Sequence, residues 1–276
     1  MDLATLHSFE DEIRKEIPDF KISYKNESLF MKVLGFLTMP FNPQFMTRYT
    51  TTIGNTVYFP SKEDYESTPK PSFTVLAHEL VHMMDDRNNK WTYAISYAFP
   101  QLLALPLFIL FTVLAGLQAW PLLILIAGAL LGCWAAKKSN AAFWIVTSLA
   151  FAAASTLLIV QTHWISVLYF LALLGMAPWP APWRTKWEGR GYTMTLAVLE
   201  WTVSAPPAVL LDVTVKHFTG PDYYFMSWAG KDVATTLRDG IWKAATGELQ
   251  KEQPYGMVYD FLAAHGDLRA GKTATK

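Results

Sequence analysis

From Trp91 to Trp183 the chain contains no aspartate or glutamate and only two cations, Lys137 and Lys138, while every acidic residue lies within 1–90 or 184–276. A stretch so long and so poor in charge exceeds what the core of a 276-residue protein requires, and apolar runs of about 18 residues or more read as membrane spans. Four candidate spans follow, at 94–117, 119–136, 141–160 and 163–181, separated by short polar breaks. At about 1.5 Å per residue they reach roughly 27 to 36 Å, against a hydrocarbon core of about 30 Å. Arg87 and Lys90 precede the first span, Lys137 and Lys138 separate the second from the third, and Arg184, Lys186 and Arg190 follow the fourth. By the positive-inside rule these mark the cytoplasmic side. The expectation is a mainly α, membrane-embedded, multi-pass protein in the lipid bilayer, with both polar flanks on the cytoplasmic face. Pro100, Pro106 and Pro121 make two spans with re-entrant segments the rival count.

Three regions result: an N-terminal polar part, 1–90, an apolar part, 91–183, and a C-terminal polar part, 184–276, whose tail from Gly266 reads as frayed. The N-terminal seventeen residues are too charged for a cleavable signal peptide. With 23 basic against 23 acidic residues and 52% hydrophobic residues, polybasic nucleic-acid binding and intrinsic disorder are both excluded. Cys133 is the single cysteine, which rules out an internal disulfide framework and a cysteine-only zinc site. Any metal must be held by histidine and carboxylate.

The N-terminal part carries local structure of its own. Tyr49–Ile53 and Thr56–Phe59 are β-branched and aromatic runs on either side of Gly54-Asn55, the signature of a two-residue hairpin. After a polar loop, Ser72 is a candidate N-cap. Phe73, Leu76, Ala77, Leu80, Val81 and Met84 then recur at helical spacing, which predicts a helix over 73–86. Beyond the apolar region, 185–204 reads as a helix stopped by Pro206-Pro207, and Val233, Leu237 and Ile241 predict another.

The helix over 73–86 contains His78-Glu79-Leu80-Val81-His82, an HEXXH motif. At i and i+4 the two imidazoles project from one face and can bind one Zn²⁺, and Glu79, turned by about 100°, can reach a zinc-activated water as general base. A catalytic zinc normally has a third protein ligand and one open position. Asp85 and Asp86 return toward the histidine face, but one helix cannot easily wrap three ligands around one ion. Glu188, the first carboxylate after the apolar region, is the better candidate, with Gly189 and Gly191 beside it to let two helices approach closely. Glu200 is the fallback. The metzincin extension does not fit, because Asp85 and Asn88 stand where it needs a glycine and a third ligand.

HEXXH on a helix with a glutamate from a later helix is similar to the gluzincin zinc metallopeptidases. The run from Thr50 to Pro60 followed by the HEXXH helix resembles the minimal zincin unit of edge strand and active-site helix. The apolar region between the two ligand-bearing helices makes the chain resemble the membrane-embedded gluzincins, which include prenyl-protein endopeptidases and stress-induced bacterial membrane peptidases. The likeness covers about residues 45–90 and 184–204, and Glu188-Gly-Arg-Gly-Tyr192 departs from the usual spacing after the glutamate in that membrane group. The resemblance implies a zincin-like α+β catalytic unit attached to about four transmembrane helices, with His78, His82 and Glu188 as zinc ligands and Glu79 as the base for hydrolysis of a protein or peptide substrate. It implies an oxyanion donor as well, with Tyr192, Arg190 and His217 as candidates in that order. The alternative is a non-enzymatic membrane scaffold with a structural zinc or no metal.

Overall fold

The computed structural model describes residues 1–39, 42, 44–100, 180–203, 208–220 and 225–269, with single helical positions between 106 and 152. The described elements are α1 (Leu3–Glu16), β1 (Lys21–Tyr24), α2 (Leu29–Thr38), β2 (Thr51–Ile53), β3 (Thr56–Phe59), α3 (Lys62–Ser67), α4 (Pro69–Asn89), α5 (Trp91–Ala98), α6 (Pro182–Thr202), α7 (Ala208–Thr219), α8 (Gly230–Thr246) and α9 (Tyr255–Ala264).

The hairpin forms where its turn chemistry requires. β2 and β3 pair antiparallel with Ile53 opposite Thr56, leaving Gly54-Asn55 as the loop. Gly54 takes φ +57, the left-handed value that the first central position of a II′ turn demands. A third strand completes the sheet: β1 joins β3 in parallel, Lys21 opposite Thr56 through Tyr24 opposite Phe59, giving the order β1-β3-β2 with β2 at an edge.

Helix α4 starts earlier than its apolar spacing suggests. Thr68 precedes it, Pro69 opens it, and Ser72 lies inside the first turn, donating its hydroxyl to the Tyr65 carbonyl at 2.7 Å rather than capping. Proline suits this first turn because its missing N–H would have no helical partner there. Phe73, Leu76, Ala77, Leu80 and Val81 are wholly buried, each large side chain contributing about 1.5–3 kcal/mol by leaving water. They meet Leu6, Phe9 and Ile13 of α1, and Met194, Ala197, Val198 and Trp201 of α6 in one core. Phe9 lies 4.5 Å from Phe73 and 4.9 Å from Phe261 of α9, ring centre to ring centre. Both polar flanks of the sequence therefore share a single core. Val233 and Leu237 of α8 are buried on a second cluster with Leu211 and Phe218 of α7.

The membrane-embedded class, its transmembrane helices and the multi-pass location with a cytoplasmic catalytic side are corrected here: among the described residues no helix is long and apolar enough to cross a membrane. The longest described helices, α4 and α6, have 21 residues each. They are studded with charge, Lys70, Glu79, Asp85, Asp86 and Arg87 on one and Arg184, Lys186, Glu188, Arg190 and Glu200 on the other. Of the expected span 94–117, the opening residues belong to the eight-residue α5, which ends at Ala98. The rest of that span, apart from single positions, lies outside the described residues, as do 119–136, 141–160 and nearly all of 163–181.

Candidate metal centre

The i, i+4 spacing on α4 places His78 and His82 one above the other, facing Glu188 and Gly191 of α6. Their Nε2 atoms are 3.1 Å apart. Glu188, in the second turn of α6, brings Oε2 to 3.7 Å from His78 Nε2 and 3.8 Å from His82 Nε2. At metal–ligand bonds of about 2.0–2.1 Å, neighbouring ligands of a tetrahedral ion stand roughly 3.3–3.4 Å apart, so this triangle is close to the size required. His78, His82 and Glu188 form a group that could hold a metal ion.

The donor atoms argue the same way as the distances. Thr195 Oγ1 donates to the Gly191 carbonyl at 3.4 Å, so toward His78 Nδ1, 3.0 Å away, it acts as acceptor. With the hydroxyl so directed, the His78 proton sits on Nδ1 and Nε2 keeps its lone pair toward Glu188. Glu188 Oε2 is buried and has no hydrogen-bond partner. Two imidazole nitrogens and a carboxylate oxygen without a hydrogen bond thus converge in a buried site, where a proton or a cation relieves them. Burial alone would raise the Glu188 carboxyl, but the His78 and His82 imidazoles beside it hold it well below the usual carboxylate range. Burial alone would lower His82, yet Glu188, Glu79 and Asp85 outweigh it and the imidazole is pushed up.

Gly191 is what allows this meeting. A Cβ built there would stand 2.5 Å from His78 Nε2 and 2.7 Å from Cε1, so the imidazole lies directly over the α6 backbone. Gly189 plays no such part, since a Cβ there would meet nothing within 4 Å.

Glu79 is outside the ligand group. Its Oε2 accepts from Thr52 Oγ1 of the edge strand at 2.8 Å, which ties the carboxylate to β2. Tyr192 stands edge-on to His78, ring centres 4.9 Å apart, and stacks on His217 at 6.2 Å. The other candidates are engaged elsewhere. Arg190 Nε donates to both oxygens of Asp85, at 3.1 and 3.0 Å, and Glu200 forms an ion pair with Arg269. Asp85 and Glu200 therefore do not join the ligand group.

Three contributors had no role in the sequence reading. Tyr97 donates its hydroxyl to Glu188 Oε1, Thr195 holds His78, and Thr52 holds Glu79. The signal for Tyr97 was the polar recurrence of Tyr93, Ser96 and Tyr97 at helical spacing, where only apolar content was weighed.

No protein-family model, curated protein or solved structure matches the chain.

Proposed function

We propose that the chain is a zinc metallopeptidase of the gluzincin kind, with His78, His82 and Glu188 as ligands, Glu79 as general base and a protein or peptide as substrate. The observation that carries this reading is the convergence of the two Nε2 atoms on Glu188 Oε2, which has no hydrogen bond, with a second carboxylate, Glu79, on the histidine helix that takes no part in ligation. Zinc, when bound, supplies Lewis acidity that polarises a carbonyl and makes water a nucleophile near neutral pH. Glu79, held through Oε2 by Thr52, would keep Oε1 to accept a proton from a water at the site and return it to the departing amine. Tyr192, edge-on to His78, is the donor assigned to the oxyanion in this reading.

A second reading has support of its own. His78, His82 and Glu188 are only 9, 6 and 2% exposed, as in a closed structural zinc site that joins two helices. Glu79→Gln separates the two. Elemental analysis of the parent and of the Glu79→Gln and His78→Ala variants, with hydrolysis of a generic peptide mixture, is the test. The peptidase reading expects about one zinc per chain in the parent and in Glu79→Gln, none in His78→Ala, and hydrolysis in the parent alone. Zinc in the parent with equal behaviour of parent and Glu79→Gln toward peptides would favour the structural reading.

A further inference from the structure

We propose that Tyr97 is a positioning residue that occupies one oxygen of Glu188 and so presents this carboxylate to a metal ion through Oε2 alone. The inference rests on the metal-centre reading and extends it to a helix that contributes no ligand. The Tyr97 hydroxyl donates to Oε1, while Oε2 of the same carboxylate is buried without a hydrogen bond and faces both imidazole nitrogens. The division between the two oxygens is fixed by α5 rather than by Glu188. At Lys90 the backbone takes φ 41, and α5 lies against α6. There Arg184 Nε donates to the Tyr97 carbonyl at 3.0 Å and Trp187 Nε1 to Ser96 Oγ at 3.0 Å. These two contacts dock the helix without involving the carboxylate. The Tyr97 ring also stands at 72° to the His82 ring, 6.0 Å away, so the phenol is confined from a second side.

A carboxylate can bind a cation through one oxygen or two. A phenol donating to Oε1 engages one of that oxygen's lone pairs and disfavours the two-oxygen mode. The ligand is held at one point, and the coordination position that the second oxygen would fill stays open. Partners that orient ligating side chains typically change metal affinity by about 10–100-fold when removed.

The test uses the full chain and Co²⁺, whose visible absorption reports coordination number, in the parent and in Tyr97→Phe, Ser96→Ala, Glu188→Ala and the Tyr97→Phe/Glu188→Ala double variant. Tyr97→Phe should bind Co²⁺ about 10–100-fold more weakly, with weaker visible bands as Oε1 becomes free to join the ion. Ser96→Ala removes one docking contact of α5 but keeps the Tyr97 hydroxyl and the Arg184 bond, so it should lose clearly less affinity than Tyr97→Phe. In the Glu188→Ala background the tyrosine substitution should have no further effect. Equal affinity and spectrum for parent and Tyr97→Phe would overturn the proposal. So would an equal loss in Ser96→Ala, an additional loss in the double variant, or a Tyr97→Phe chain that fails to fold. A parent that binds no Co²⁺ would instead overturn the metal-centre reading on which the proposal stands.

Discussion

Replacing Gly191 by alanine isolates the contact on which the His78 position depends. The new Cβ would lie 2.5, 2.7 and 2.9 Å from three atoms of the imidazole, where carbon contacts normally settle at about 3.5–4.0 Å. The ring must retreat by about 1 Å, whereas metal–ligand distances tolerate only about ±0.2 Å. His78 is therefore lost as a ligand. Structural zinc sites bind with apparent energies of about 10–16 kcal/mol, or roughly 2.5–4 kcal/mol for each of four ligands, so the loss corresponds to zinc binding weakened by roughly 10²–10³-fold. Stability without metal should scarcely change. Alanine in a helix interior gains about 1 kcal/mol over glycine, and displacing His78 from Thr195 costs about the same. Gly189→Ala is the matched control, since nothing lies within 4 Å of its Cβ. It should keep parental zinc affinity and gain about 1 kcal/mol, or roughly 2–4 °C in Tm. Zinc affinity is read by competition with a chromophoric chelator and Tm by circular dichroism of the metal-free protein. A Gly191→Ala variant that binds zinc as tightly as the parent would refute the argument. A metal-free Tm collapse in that variant would show that the glycine serves packing of α4 on α6 instead.

Thr195→Val keeps the shape of the side chain but removes the acceptor for the His78 Nδ1 proton. Zinc affinity should fall about 10–100-fold, and an unchanged dissociation constant in the same competition assay would refute the tautomer assignment. Lys25 is wholly buried, its Nζ 2.8 Å from the Phe45 carbonyl, and burial pushes its ammonium down to about 7. Between that value and its ordinary 10.5 the unfolded chain binds the extra proton, so stability rises with pH through this window by up to about 1.4 kcal/mol per pH unit, and the burial penalty is complete below pH 7. Denaturant melts of parent and Lys25→Met should show the parent gaining on the variant from pH 7.5 to 9.5, and a constant difference would refute the shift.

What could be read from the sequence was whatever a single element sets by its own spacing. His78 and His82 share a face because 3.6 residues make a turn, and the hairpin closes because Gly54 accepts a positive φ. Glu188 was reachable by elimination, as the first carboxylate after a long interval without one. The pairings of Tyr97 and Thr195 were not, because their partners lie 91 and 117 residues away and a polar recurrence at helical spacing marks a face without naming what it meets. Composition misled as well. Averaging 94–117 into one apolar run concealed that Ser96 and Tyr97 turn toward Trp187 and Glu188. β1 was missed because its parallel partner is distant and its four residues carry no turn signal of their own.

The distribution of apolar contacts bears on which of the two zinc readings the fold needs. A structural metal is indispensable where the segments it joins cannot bury enough surface by themselves. Here the histidine helix and the glutamate helix are already joined, since Phe73, Leu76, Leu80 and Val81 of α4 share a core with Met194, Val198 and Trp201 of α6. Asp85 and Arg190 add an ion pair across the same boundary. The imidazoles of His78 and His82 face α6 beside this stripe and add no apolar area to it. A cation bound there would add to an interface that already carries apolar contacts and an ion pair of its own, so the metal-free chain should keep α4 packed on α6.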